Sequence, residues 1–259
     1  MKKKVVVIMG GISSEREVSL NSGRSVLNAI NRDKYDVHEL IIDEPMDVVN
    51  KMPEGVDFAL LILHGKYGED GTIQGLFEIS QIPYVGCGVL ASSVGMDKLI
   101  CKKVFSQIGL PQVDYTYTNK WEFNINKDQE LDKIEEKLNY PIFVKPANLG
   151  SSVGISKAIN REELLVGIEE ALKYDSRIVL EKGINAREIE VAVIGNEEVK
   201  ASIAGEIKPA KDFYDYEDKY QEICEWYDGY RFGNSEIFNP WSVINYISDQ
   251  CFPKAFWQS

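Results

Sequence analysis

A lysine followed by a loop rich in glycine and serine is the most informative stretch of the chain. It runs from Tyr140 to Ser156 and reads YPIFVKPANLGSSVGIS. The apolar run that begins at Ile142 predicts a short strand that carries Lys145 to its end. The loop from Asn148 to Gly154 can turn backbone N–H groups and two hydroxyls toward phosphate oxygens, and Lys145 would add a positive charge. The stretch contains neither GxxxxGK[ST] nor GxGxxG, and by itself it also fits an ordinary hairpin loop.

A second candidate binding site follows the first predicted strand, Val5 to Met9. A pair of glycines ends this strand, and a helical pattern starts a few residues later, where Ser14 and Glu17 fit a capping box. The free N–H groups at a helix start favour anions. Glu15 is acidic, so it either complements the helix dipole or binds the ammonium group of a ligand.

A third candidate is the polar loop HGKYGEDG, which begins at His64 and follows a strand predicted from Phe58 to Leu63. Open α/β sheets bind their ligands beyond the carboxyl ends of the strands. His64 is therefore a candidate substrate contact. A structural role is the alternative for a single histidine.

Length and composition restrict the class of protein. A chain of 259 residues has the size of about two domains. We find no apolar run of about twenty residues and no cleavable signal, so we expect a soluble, cytoplasmic protein without membrane association. The formal charge of −12 argues against nucleic-acid partners and favours small molecules. The four cysteines lack CxxC spacing, which indicates reduced thiols rather than a zinc site or disulfides.

The order of the predicted elements divides the chain at Pro111. Strands and helices before this residue predict an open, parallel α/β sheet. A helix expected from Met96 to Gln107 ends at Gly-Leu-Pro, so residues 1–111 form the first predicted domain. Beyond it, the extended run Val113 to Thr118 and the alternating pattern from Arg187 to Ile207 predict an antiparallel sheet with helices, which is an α+β domain.

Five motifs, taken together, indicate a family. They are GGISSEREVSLNSG at Gly10–Gly23, LHGKYGEDGTIQG at Leu63–Gly75, GMDKL at Gly95–Leu99, VKPANLGSSVG at Val144–Gly154 and FYDYEDKY at Phe213–Tyr220. With these motifs the chain resembles the D-alanine–D-alanine ligases of the ATP-grasp superfamily, from Met1 to about Gln221. The resemblance implies an N-terminal open parallel α/β (pre-ATP-grasp) domain followed by an α+β ATP-grasp domain.

The resemblance also implies a reaction, the ligation of two D-alanines for peptidoglycan synthesis. ATP phosphorylates the carboxylate of one D-alanine, and the amine of a second attacks the acyl phosphate through a tetrahedral intermediate. The implied partners are ATP and D-alanine, and the implied cofactor is Mg²⁺ or Mn²⁺. Tyr220 indicates D-alanine rather than D-lactate as the second substrate, whereas a D-alanine–D-serine ligase remains an alternative. Homodimers are common in the family, and the sequence leaves the oligomeric state open.

Individual site residues follow from the matched motifs. Those implied to bind the nucleotide are Lys98, Lys145, Gly150, Ser152, Val153, Gly154, Glu181, Lys182, Ile184 and Glu188. The two lysines match phosphate contacts, and the loop closes over the phosphates, where cations and N–H donors offset negative charge. Backbone groups from Lys182 to Ile184 would contact the adenine edge, and Glu188 the ribose.

The residues implied to bind D-alanine are Glu15, His64, Ser151 and Tyr220, and those implied to act in catalysis are Glu15, Ser151, Lys219 and Tyr220. Glu15 matches the residue that holds the ammonium group of the first D-alanine. Lys219 matches a lysine that reaches the transferred phosphate.

The sequence departs from the family after Gln221. Residues 222–259 hold ten aromatic residues, against 17 in the preceding 221, and three of the four tryptophans. The family's Arg-x-Asp, Glu-x-Asn and Ser-Pro-Gly motifs have no match there, so we assign no metal ligand. We interpret residues 222–259 as a tail unlike the family, produced by a frameshift or recombination, that leaves the ATP-grasp domain of residues 112–221 incomplete. A divergent but working end is the alternative. The chain is then either an active ligase or a disabled fragment with residual nucleotide or D-alanine binding.

Overall fold

The computed structural model describes residues 2–150 and 153–207 and the strands Tyr230–Phe232 and Ser235–Ile237. These residues belong to two compact units, and the division between the units falls between Ser93 and Val94. The second unit thus starts earlier than Pro111, the boundary expected from the sequence. The helix that precedes Pro111 packs with the second unit, because its Leu99 lies in an apolar cluster with Val179.

Four parallel strands form the sheet of the first unit. They are β1 (Lys3–Gly10), β2 (Tyr35–Ile42), β3 (Phe58–Leu61) and β4 (Tyr84–Val85). Their order across the sheet is β2-β1-β3-β4, which makes β1 and β3 the inner strands. The predicted open parallel α/β sheet is confirmed.

Helices cover both faces of this sheet. They are α1 (Arg16–Ala29), α2 (Asp47–Asn50) and α3 (Thr72–Ser80). A further helix, α4 (Val89–Met96), contains the division between the units. Successive residues of a strand face opposite sides of a sheet. Val5 and Val7 therefore pack with Val26 of α1, whereas Val6 and Ile8 pack in a second cluster with α3. Burial on both faces explains why β1 is a continuous apolar run.

An antiparallel sheet of four strands forms the centre of the second unit. The strands are β5 (Tyr115–Asn119), β6 (Ile142–Pro146), β7 (Ser156–Ala158) and β8 (Arg177–Lys182), in the order β5-β8-β6-β7. The helices are α5 (Lys98–Gln107), α6 (Lys120–Ile125), α7 (Lys127–Lys137) and α8 (Arg161–Ala171). One buried cluster joins α6, α7 and α8 to the sheet and includes Phe123, Ile134, Val144 and Ile168. The predicted α+β class is confirmed.

Side-chain caps fix where these helices begin. The Asp97 carboxylate accepts the Ile100 N–H at 3.0 Å, and the Asn160 side chain accepts the Glu163 N–H at 2.9 Å. Such caps satisfy N–H groups that have no partner inside the helix. Asn160 is thus the N-cap residue of α8.

The region from Arg187 to Ile207 contains two separate antiparallel pairs in place of one continuous sheet. The strands are β9 (Glu188–Glu190) with β12 (Gly205–Ile207), and β10 (Val193–Ile194) with β11 (Lys200–Ala201). Further along the chain, β13 (Tyr230–Phe232) pairs with β14 (Ser235–Ile237). None of the helices in the described ranges is long and apolar enough to cross a membrane.

Truncation of a core isoleucine tests the packing of the second unit. Ile134 of α7 is 2% exposed, and Ile125 of α6 is 65% exposed. Because the first change leaves a cavity, Ile134→Ala should lower the free energy of unfolding by about 2–5 kcal/mol. The matched control Ile125→Ala should change it by no more than about 0.5 kcal/mol. Urea unfolding followed by circular dichroism measures both, and equal losses would contradict this packing.

Candidate active site

Two lysines share one glutamate on the face of the second sheet that points away from the buried cluster. Alternate residues of β6 face opposite sides, so Val144 lies in the core and Lys145 on the other face. The Lys145 Nζ lies 2.6 Å from Glu181 Oε2, on the neighbouring strand β8. The Lys102 Nζ, from α5, lies 2.8 Å from Glu181 Oε1. Each carboxylate oxygen therefore binds one ammonium group.

Lys98 adds a third positive charge beside this pair. It lies one helical turn before Lys102 on α5, so both side chains share a face of the helix. Its ammonium group donates to the carbonyl of Leu149, at the start of the glycine-rich loop. Burial lowers the pKa of Lys98, and the positive charge of Lys145 lowers it further. Three ammonium groups thus gather around one carboxylate.

The charge of Glu181 depends on these lysines. Burial by itself would raise the pKa of this carboxyl, but the charges and hydrogen bonds of Lys145 and Lys102 hold the pKa below its usual value. The Glu181 side chain is only 12% exposed. Because a half-buried cluster with excess positive charge attracts anions more strongly than an exposed one, the arrangement suits a polyphosphate.

The glycine-rich loop is anchored at both ends. Asp175 accepts the Asn148 N–H at 2.7 Å and the Arg177 N–H at 3.0 Å, which ties the start of the loop to β8. At the other end, Gly154 has φ +70°, and a Cβ there would lie 2.8 Å from a ring carbon of Tyr174. No other residue type fits this position without strain. The anchored loop starts beside Lys98 and Lys145, as expected of a phosphate loop.

The residues predicted to contact adenine and ribose lie farther along the chain. The Lys182 N–H donates to the Asp114 carbonyl at 2.9 Å, and the Gly183 N–H donates to the Pro141 carbonyl at 2.7 Å. Ile184 is exposed, and Glu188 lies on the exposed strand β9, outside the sheet that carries the lysines. Lys182 belongs to the same strand as Glu181, whereas Glu188 does not.

A second cluster lies in the first unit, where β1 and β3 end. Ser13 Oγ donates to the His64 carbonyl at 2.8 Å and accepts the Glu15 N–H at 3.2 Å. Gly65 has φ +68°, and a Cβ there would lie 2.5 Å from Glu15 Oε2. The Glu15 carboxylate therefore lies directly against the loop that His64 begins. The structure brings Glu15 and His64 together, as the two sequence motifs predicted.

The start of α1 differs from the prediction. α1 begins at Arg16, and its N-cap residue is Glu15, without a side-chain cap, where Ser14 was expected as the first residue of a capping box with Glu17. Ser13, one residue earlier, takes the nearby backbone contacts.

The surroundings of His64 favour the neutral form of its imidazole. Burial lowers the pKa of its imidazole, and the negative charge of Glu69 opposes this shift. Its Nε2 is shielded from solvent and has no hydrogen-bond partner within the described ranges. Glu69 also accepts the Gly65 N–H at 2.7 Å, which holds the loop next to Glu15. A neutral imidazole can donate or accept one hydrogen bond to a ligand.

Four predicted site residues lie outside the described part of the chain. Those outside are Ser151, Ser152, Lys219 and Tyr220.

Lys102 is a residue of the site that the sequence did not predict, although a lysine four residues after Lys98 lies on the same face of a helix. Among the described residues there is no group of three or more His, Cys, Asp or Glu side chains that could hold a metal ion.

Comparison with known proteins identifies the family. The model described as "D-ala D-ala ligase C-terminus" matches residues 104–227, and the one described as "D-ala D-ala ligase N-terminus" matches residues 4–52 and 44–87. The chain belongs to the D-alanine–D-alanine ligase family. A D-alanine–D-alanine ligase from Heliobacterium modesticaldum is 46% identical over 85% of this chain and 70% of that ligase. The D-alanine–D-alanine ligase B of Clostridium tetani is 44% identical over 95% of this chain and 73% of that ligase.

These matches also bear on the tail. The C-terminal family model ends at residue 227, close to the expected departure at Gln221. The alignment with the Clostridium tetani ligase covers 95% of this chain, so it includes part of residues 222–259. The alignment with the Heliobacterium modesticaldum ligase covers 85% of this chain, which is consistent with the expected departure near Gln221, although the Clostridium tetani alignment extends past that residue.

Solved structures agree with this family. The VanG D-Ala:D-Ser ligase from Enterococcus faecalis has a TM-score of 0.72 and 33% identity, over 83% of this chain and 73% of that chain. The D-alanine–D-alanine ligase from Bacillus anthracis complexed with ATP has a TM-score of 0.63 and 31% identity, over 81% of this chain and 72% of that chain. The ATP-grasp fold expected from the motifs is confirmed.

The lowered pKa of Glu181 predicts how the free energy of unfolding changes at acid pH. Because its folded pKa lies below the unfolded value of 4.5, Glu181 stabilises the fold fully above about pH 4.5. This contribution is lost as the pH falls through the folded pKa, since the unfolded state takes up the proton first. Glu181→Gln should therefore lose stability less steeply below about pH 4.5. Urea unfolding at several pH values measures the slope.

The control for this series is Glu136→Gln, which removes an exposed carboxyl of α7 in the same unit. It should keep the acid slope of the unmodified chain. If the free energy of unfolding fell equally steeply with falling pH in Glu181→Gln and in the unmodified chain, the two lysines would not stabilise the ionised carboxylate.

Proposed function

We propose that this chain catalyses the ATP-dependent ligation of two D-alanines to D-alanyl-D-alanine, for peptidoglycan synthesis. The observation that carries the proposal is the cluster of Lys98, Lys102 and Lys145 around Glu181, beside a loop anchored at Gly154. This is a polyphosphate site in a member of a family whose relatives are named for this ligation. The cytoplasm, where ATP is available, is the proposed location.

Residues of the second unit would bind ATP. Lys98 and Lys145 would offset the negative charge of the ATP phosphates, and this attraction is strong because the cluster is shielded from water. The N–H groups of Lys182 and Gly183 already donate within the protein. Contacts with the adenine edge would therefore fall to the Lys182 carbonyl and the Ile184 N–H. Glu188 would bind the ribose hydroxyls.

Residues of the first unit would bind the first D-alanine. The Glu15 carboxylate would pair with the ammonium group of the first D-alanine, and neutral His64 would add a hydrogen bond at the same turn. This leaves the carboxylate of that D-alanine to attack the γ-phosphorus of ATP, with ADP as the leaving group. The amine of the second D-alanine then attacks the acyl carbon, and phosphate leaves with the bonding electrons of the acyl C–O bond and takes up the proton that the amine loses. Ser151, Lys219 and Tyr220, outside the described residues, would complete the contacts with D-alanine and the transferred phosphate.

Mg²⁺, or Mn²⁺ in its place, is part of the proposal because ATP-dependent ligations of this family use a divalent ion. The described residues do not fit a protein-held metal site, since they contain no group of three or more candidate ligands. The ion is therefore tested as an added component.

Turnover tests the proposal. The purified chain with ATP, Mg²⁺ and D-alanine should release ADP only when D-alanine is present, and mass spectrometry should detect D-alanyl-D-alanine. Lys145→Met should reduce kcat/KM for ATP by about 100-fold or more, because a charge contact with the phosphates is lost. D-Serine in a second reaction separates a D-alanine–D-serine ligase from the proposed enzyme. Nucleotide binding without any D-alanine-dependent ADP release would instead indicate a disabled fragment.

A substitution of Glu15 tests D-alanine binding separately from ATP binding. Glu15→Gln removes the negative charge opposite the ligand ammonium, so KM for the first D-alanine should rise by about 10- to 100-fold, in line with about 1.5–3 kcal/mol for a hydrogen bond to a charged group. KM for ATP should change little. The matched control is Glu17→Gln, two residues further along the chain in α1 and exposed. A D-alanine KM that stays unchanged in Glu15→Gln would remove Glu15 from the substrate site.

A further inference from the structure

Lys102 belongs to the lysine cluster that carries the proposed function, but it has no separate part in the ligation steps, although it binds one of the two carboxylate oxygens of Glu181. We propose that Lys102 is a positioning residue of the nucleotide site, which keeps Glu181 neutralised so that Lys145 can leave this carboxylate and bind a nucleotide phosphate. The inference rests on the proposed function, because it assumes that the site receives a nucleotide.

The geometry separates the roles of the two lysines. Lys102 binds Oε1 of Glu181 at 2.8 Å and Lys145 binds Oε2 at 2.6 Å, so neither competes with the other for an oxygen. The Lys102 Nζ also lies 5.0 Å from the centre of the Tyr115 ring, on β5. Its side chain is 15% exposed, against 24% for Lys145. Lys145 also lies near an aromatic ring, 5.9 Å from the centre of Phe143, so the difference between the two lysines is that Lys102 lies closer to its ring and is the less exposed.

Charge balance explains why Lys102 is needed. When Lys145 turns to a phosphate, Glu181 loses the partner of Oε2. A half-buried carboxylate without a cation is costly, and it would also repel the phosphates nearby. Lys102 remains on Oε1 and keeps the carboxylate paired during this exchange.

The other cations near the site cannot replace Lys102. The ammonium group of Lys98 donates to the Leu149 carbonyl. Arg177, also on β8, pairs with Asp97 at 2.5 Å. Lys182 lies 3.6 Å from Asp114. Among the described residues, Lys102 and Lys145 are the two cations that pair with Glu181.

The proposed role predicts a particular kinetic signature. Lys102 acts on the charge of Glu181 and does not contact the reacting atoms. Its loss should weaken binding of the ground state and of the transition state alike, which raises KM for ATP and leaves kcat nearly unchanged. The rise in KM for ATP should also be absent when Glu181 is replaced by Gln, because no carboxylate charge is then left to compensate.

A double-mutant cycle tests this dependence. Isothermal titration calorimetry with ATP, and in parallel with ADP, gives Kd for the unmodified full chain, Lys102→Met, Glu181→Gln and the double variant. Lys102→Met should raise Kd about tenfold when Glu181 is present and less than about threefold when it is added to Glu181→Gln. Lys102→Arg keeps the charge and should stay within about threefold of the unmodified chain. Steady-state rates with D-alanine should show the same change in KM for ATP.

The matched control is Lys103→Met, the next residue on α5. Lys103 is exposed and lies over a different ring, 4.9 Å from the centre of Tyr117, so its loss should leave Kd unchanged. Circular dichroism establishes that each variant folds, and Lys102→Gln replaces Lys102→Met if the latter does not.

Three results would overturn the inference. The first is an unchanged Kd in Lys102→Met. The second is an equal rise in Kd with and without the Glu181→Gln change, which would mean that Lys102 contacts the nucleotide itself. The third is a loss of kcat without a change in KM. Failure of the unmodified chain to bind ATP or ADP is a different outcome, since it overturns the proposed function and this inference with it.

Discussion

The candidate nucleotide site depends on one half-buried carboxylate. Glu181 of β8 binds Lys145 of β6 and Lys102 of α5, and Lys98 lies close enough for the charge of Lys145 to affect its pKa. Without an anion between them, lysine side chains brought this close would repel one another. Glu181 therefore allows the fold to gather positive charge beside the glycine-rich loop, and the function proposed for the second unit follows from that charge.

Other carboxylates hold the elements that present these lysines. Asp97 caps α5 through the Ile100 N–H and pairs with Arg177 at the start of β8, which fixes the first turn of the helix against the sheet. Asp175 ties the beginning of the loop to the same strand. Because a cap and an ion pair share one buried carboxylate, the direction of α5 and the positions of Lys98 and Lys102 are set together.

Local sequence signals predicted the parts of this site that local interactions determine. The strand that ends near Lys145 and the helix that ends at Gln107 each follow from a few neighbouring residues. The contact of Lys102 with Glu181 could not be predicted in this way, because it requires β8 to lie between β5 and β6. Short helices such as α2 and α6 were missed since one or two turns carry little periodic signal. The expected capping box differs from the structure because α1 begins at Arg16 with Glu15, one residue after Ser14, as its N-cap residue.

The overall charge of the chain and the charge of its nucleotide site have opposite signs, and the structure explains how both can hold. The formal charge is −12, which by itself would repel a polyphosphate. Exposed charges are screened by salt over about 8 Å at physiological ionic strength, whereas charges in a shielded cluster are screened much less. The lysines around Glu181 therefore dominate the field that a nucleotide meets at close range. The first unit shows the reverse arrangement, since Glu15 offers a negative charge where a ligand ammonium is expected. Opposite local charges in the two units thus match the two different ligands that the proposed reaction brings together.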